Sequence, residues 1–135
     1  RTCPDFEMWV RLGARYPMKH EFGVVCKYRY HKGSEGQRPD VIPKMVAAKK
    51  SVIDKTLADP KTPEHMKLLR TRAYAGLYHW GANVAGSVGL YKYELNYLIK
   101  SSYYLPQLHK FIRLYRFFIR HSIGYTKLYF RKAFL

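Results

Sequence analysis

Residues 70–92 read RTRAYAGLYHWGANVAGSVGLYK, and the fold turns on how this stretch is understood. From Ala73 to Tyr91 it runs 19 residues without Lys, Arg, Asp or Glu. Arg70 and Arg72 bound the run on one side and Lys92 on the other, while Tyr74, Tyr78, Trp80, Tyr91 and Tyr93 gather toward its ends. At about 1.5 Å per residue a helix of this length reaches roughly 28 Å, close to the hydrocarbon thickness of a bilayer. Aromatic residues at both ends suit the interfacial belt of a membrane protein. The pattern predicts one transmembrane helix over residues 73–99, with hydrophobicity modest enough to require a partner helix.

The glycines need a reason, because each interior Gly costs a helix about 1 kcal/mol relative to Ala. Gly81, Ala85 and Gly89 recur every four residues, with Ala82 and Gly86 in a parallel row. Residues four apart stack on one helix face, so the small side chains make a smooth groove. In a bilayer such a groove admits another backbone to dispersion contact and weak Cα–H···O bonding. In water the same spacing describes a closely packed soluble helix pair. The membrane reading makes Gly81, Ala85, Gly86 and Gly89 the helix-packing residues. His79, Asn83 and Ser87 are the polar groups within the run, and Glu94, the last acid of the chain, is expected to meet Lys92 or water.

Outward from this segment the chain divides into four parts. Residues 1–40 read as an irregular N-terminal extension ending in the polar connector HKGSEGQRPD (31–40). Residues 41–72 read as an amphipathic helical region, with Asp40 as cap and Pro43 in the first turn. There Ile42, Met45, Val46, Val52, Ile53 and Leu57 fall at helical spacing, interrupted by Lys44, Lys49, Lys50 and Lys55. Such a helix either covers a core or lies on an anionic membrane surface. Asp59-Pro60 ends it, and Thr62-Pro63-Glu64 opens another helix.

Beyond the predicted span, residues 100–135 form a basic, aromatic C-terminal extension punctuated by Pro106. Leu108, Phe111, Ile112, Tyr115, Phe118 and Ile119 define an apolar stripe, with Lys110, Arg113, Arg116 and Arg120 beside it. These four cations are the expected ligands of anionic phospholipid, cardiolipin being the mitochondrial candidate. The fold class expected is all-α, with basic amphipathic helices flanking a single transmembrane helix that carries a small-xxx-small face.

Charge sets the class of partner. The chain has 25 Lys+Arg against 9 Asp+Glu, a net +16, and 13 tyrosines. That imbalance calls for an anionic partner: RNA, an acidic protein or an anionic lipid surface. Cys3 and Cys26 form no CxxC pair, so neither a disulfide scaffold nor a zinc site is expected. No P-loop, dinucleotide fingerprint, nucleophile elbow or HExxH is present, and the six histidines do not cluster. The expectation is a non-enzyme without catalytic, cofactor-binding or metal-binding residues.

The order of features resembles subunit g of the mitochondrial ATP synthase. Pro39-Asp40-Val41-Ile42-Pro43 resembles that family's P-x-E-I-P-like opening, Lys49-Lys50 its basic pair, and Gly81, Ala85, Gly86 and Gly89 its glycine motif. Ser87 follows Gly86 where the family has an acid, and the chain continues some forty residues past its membrane helix. The resemblance implies a non-catalytic Fo subunit of the inner membrane, pairing with a subunit e-like helix and supporting dimerisation and cristae curvature. Two other readings stand beside it: a mitochondrial ribosomal protein, with Arg113, Arg116, Arg120, Arg131 and Lys132 on rRNA phosphates, and an accessory subunit of another respiratory complex.

Overall fold

The computed structural model describes residues 3–19, 22–23, 26–27, 34, 38–106, 113, 115 and 117–119. Five helices are described from end to end, α1 (Pro4–Gly13), α2 (Ile42–Ala58), α3 (Glu64–Lys67), α4 (Arg70–Ser87) and α5 (Tyr91–Tyr104), and residues 113, 115 and 117–119 are also helical. The all-α expectation agrees with this architecture. The transmembrane expectation does not, because no helix among the described residues is long and apolar enough to cross a membrane.

α4 reaches 18 residues but carries Arg70, Arg72, His79 and Asn83, and it is prevented from continuing into a longer helix by Gly89. Its φ is +79°, in the left-handed region where a Cβ is unfavourable. The Leu90 amide donates to the Ala85 carbonyl at 2.9 Å, and the Gly89 amide to the Gly86 carbonyl at 3.3 Å. Those two bonds are the 6→1 and 5→2 pair of a Schellman terminus, so α4 stops at Ser87 and the chain reverses over Val88–Leu90. The predicted span over 73–99 is therefore most of α4, a tight turn and the first part of α5, folded antiparallel. Gly89 ends a helix, where the sequence reading had placed it inside one.

Named contacts fix the hairpin's register. Glu94 lies opposite Gly86, the Tyr97 ring against Gly81 and Tyr78, and the Ser101 hydroxyl donates to the Ala75 carbonyl at 2.9 Å. α2 packs on α4 beside α5, also antiparallel, with Val46 against Gly81 and Asp54 against Tyr74. α4 thus sits between two helices and buries Leu77, Tyr78, Ala82 and Ala85 in one cluster with Ile42, Val46, Ile53, Tyr97 and Leu98. Ile42 and Leu98 are the largest apolar side chains wholly removed from water. Burial of this kind stabilises by about 1.5–3 kcal/mol per side chain.

Two further expectations are corrected. The irregular extension over 1–40 contains α1, with Pro4 at its first turn, Asp5 and Glu7 following, Arg11 in its last turn and Gly13 at its end. Those residues suit the helix dipole and an N-terminal proline, and Glu7 pairs with Arg11 at 3.1 Å. Asp40 does not cap α2: its carboxylate meets the Arg38 guanidinium at 2.9 and 3.3 Å, and the helix begins from Val41 without a side-chain cap.

Candidate nucleic-acid interface

Of the small residues singled out in the sequence, Gly81, Ala85 and Gly86 pack within the helical hairpin and Gly89 forms its turn. A Cβ at Gly81 would stand 3.0 Å from Val46 Cγ2 and 3.2 Å from Tyr97 Cδ2, so this glycine admits α2 and α5 together. Ala85 is fully buried. A Cβ at Gly86 would be 2.7 Å from the Glu94 carboxyl carbon. The smooth face is thus filled from within the same chain. Of the four cations expected to hold lipid, Lys110, Arg116 and Arg120 lie outside the described residues. Arg113 is placed against α4, its Nη1 3.2 Å from His79 Nε2. A guanidinium only donates, so this contact requires Nε2 to accept and His79 to be neutral.

Several carboxylates are held close to home. Besides Glu7, Asp40 bonds to Arg38, Asp54 to Lys50 at 2.7 Å, and Glu64 to Lys67 at 2.7 Å. The bond from Lys50, then that from the Tyr74 hydroxyl, holds the Asp54 carboxyl below its ordinary range. The same contact raises Lys50. Lys44, Lys55, Lys61, Arg72 and Lys92 have no carboxylate within ion-pair distance among the described residues. Arg70 and Arg72 open α4, where there is no acid in the first turn and the helix dipole is itself positive. That arrangement costs the isolated chain a few tenths of a kcal/mol per charge and favours an anion nearby.

Two exposed helix faces carry part of this positive charge. On α2, Lys44, Ala47, Ser51 and Lys55 are exposed and follow helical spacing, with small side chains between the two lysines. On α5, Lys92, Tyr93, Asn96, Lys100 and Tyr103 share one outward face spanning about 16 Å. Tyr103 is 82 % exposed, and the Lys100 ammonium lies 5.4 Å from the Tyr78 ring centroid. Cations, a forked amide and exposed aromatic rings on one face can hold phosphates, hydrogen-bond base edges and stack on bases. The spacing that makes this face was present in the sequence, but it was hidden by assigning residues 91–99 to a span.

Among the described residues no cluster of His, Cys, Asp and Glu is placed to hold a metal ion, and no disulfide joins Cys3 to Cys26. Compared with protein-family profiles, curated proteins and solved structures, the chain finds no significant match.

Proposed function

We propose that this chain is a non-catalytic RNA-binding protein of a ribonucleoprotein assembly, the ribosomal alternative that its charge suggests. The observation that carries the reading is the outer face of α5, where Lys92, Asn96, Lys100 and Tyr103 stand side by side in solvent. Phosphate neutralisation by lysines and arginines supplies affinity, and exposed tyrosines supply stacking on unpaired bases. Taken by itself, the uncharged run from Ala73 to Tyr91 favours a membrane subunit. With that run folded onto α5 and α2 it no longer argues for a membrane, and the +16 charge of the chain is the feature left to explain.

The test is binding of a labelled single-stranded RNA oligonucleotide by the full chain across a salt series. Affinity should fall with salt, and the double variant Lys92→Gln/Lys100→Gln should lessen the log–log slope by about 1.4, at about 0.7 per lost phosphate contact. An unchanged slope, or tighter binding to anionic phospholipid vesicles than to RNA, overturns the reading.

A further inference from the structure

Between α1, α2 and α4 lies an open groove of about 670 Å³, a size ordinary for small-molecule sites. Its walls are apolar: Phe6 and Val10 from α1, Ile53 and Leu57 from α2, Leu77 and Trp80 from α4. The hydroxyls that border it are already used, since Thr56 donates to the Val52 carbonyl at 2.9 Å and Thr62 to the Thr56 carbonyl at 2.6 Å. Gly76 forms part of the wall, and a Cβ there would meet nothing within 4 Å. A glycine in mid-helix beside open space keeps the groove wide at a cost in helix propensity.

Its charged lining is of one sign. Lys49 and Arg72 border the groove, and no Asp or Glu lines it. The Lys49 ammonium stands 3.6 Å from the Trp80 ring centroid and 4.9 Å from that of Phe6, so aromatic faces hold the cation at one end. Trp80 and Arg72 are eight residues apart on α4, which places the second cation about 12 Å along the groove. No carboxylate among the described residues lies within ion-pair distance of this ammonium, so its charge is left for an anion from outside. The groove therefore offers burial to a chain of methylenes and an ion pair to one head group.

We infer that this groove binds a single acyl chain bearing an anionic head, with the chain along α2 and α4 and the head at Lys49. The occupant has the chemistry of a long-chain fatty acid or a lysophospholipid. This site is separate from the α5 face and does not rest on RNA binding.

The probes are laurate, its uncharged counterpart dodecanol, and a lysophosphatidic acid of the same chain length, each titrated calorimetrically into the full chain below its critical micelle concentration. Saturable one-to-one binding is expected for both anions, and the tighter of the two identifies the preferred head group. Dodecanol should bind roughly tenfold more weakly, the effect of one lost charge-assisted contact. Lys49→Met should reduce laurate binding to the dodecanol level. Gly76→Leu, whose Cβ meets nothing within 4 Å and whose longer side chain takes up space in the groove, should remove binding of all three while circular dichroism shows the helices retained. Absence of saturable laurate binding, equal binding of laurate and dodecanol, or wild-type binding by Gly76→Leu overturns the inference.

Discussion

The carboxylate of Glu94 occupies the space that Gly86 leaves by having no side chain. An added Cβ at position 86 would stand 2.7–2.9 Å from all three carboxyl atoms. Glu94 is only 4 % exposed, so the carboxylate cannot move aside without disturbing the hairpin. Gly86→Ala should destabilise by about 1–3 kcal/mol, the usual cost of overpacking, despite the gain in helix propensity. Gly76→Ala, whose Cβ meets nothing, should instead stabilise by about 0.5–1 kcal/mol. Urea unfolding of these variants, with Glu94→Ala alone and combined with Gly86→Ala, gives a double-mutant cycle. A coupling of about 1 kcal/mol between 86 and 94 is expected, and strict additivity would refute the contact.

Gly89 tests the turn. With φ at +79°, Ala at this position should cost about 1–2 kcal/mol. In an uninterrupted helix through residues 73–99 the same substitution would be stabilising. The sign of the change in urea midpoint decides between a hairpin and a span.

Tyr103 tests stacking. Tyr103→Ala should weaken binding of single-stranded RNA by about 1–3 kcal/mol, and Tyr103→Phe should retain nearly all of it. The residue is 82 % exposed, so the fold should be indifferent to both changes. Equal losses for Ala and Phe would show that the hydroxyl, not the ring, makes the contact.

Alkali should unfold this protein through its buried tyrosines. Burial raises Tyr97 and Tyr78 above the ordinary phenol value, and burial followed by the Asp54 hydrogen bond raises Tyr74. A raised folded value means the contribution is whole below about pH 10 and is lost as pH climbs through the folded values. Tyrosine ionisation followed by ultraviolet absorbance should therefore coincide with loss of helix. Tyr97→Phe should move that transition to higher pH, and an unchanged midpoint would remove Tyr97 from the cause.

Acid acts at Asp54 with the opposite sign. Its folded value is lowered, first by Lys50 and then by Tyr74, so its contribution is present above its ordinary value and is lost as pH falls through the lowered one. Asp54→Asn should be less stable than wild type at neutral pH, and the two should converge in strong acid. Thermal unfolding at a series of pH values measures the gap; a constant gap would contradict the assignment.

Much of the helical framework was legible because apolar period and proline act locally. Ile42, Val46 and Ile53 marked the buried side of α2, and Pro43 and Asp59-Pro60 marked its ends. The small-residue face of α4 was legible as a helix-packing surface, but its partner was not. Sequence spacing says that a backbone can come close, and not which one. Uncharged length favoured a span, while the Gly89 terminus, a signal of equal standing, was absorbed into the GxxxG-like pattern. α1 is hard to read because it is short and none of its residues is fully buried, so its apolar Phe6, Met8, Trp9, Val10 and Leu12 mark no single inward face and the end signals Pro4, Asp5, Glu7 and Gly13 stand alone. The groove at Lys49 needed three helices in place before it existed.

The three-residue reversal at Val88–Leu90 also imposes an order in time. Contacts between α4 and α5 close short loops, from Gly86 with Glu94 out to Tyr74 with Tyr104, so they form at little loop-closure cost. Such a hairpin assembles on the microsecond-to-millisecond scale of local helical structure. When the complete chain refolds, α2 must then find α4 across the intervening α3 segment, and α1 must find α2 across a longer connector. During synthesis the helix with the most to bury, α4, meets α2 first and stays incomplete until α5 follows it from the ribosome. The nascent chain therefore passes through a stage in which Gly81 has Val46 beside it but not yet Tyr97, and α5 ends that interval.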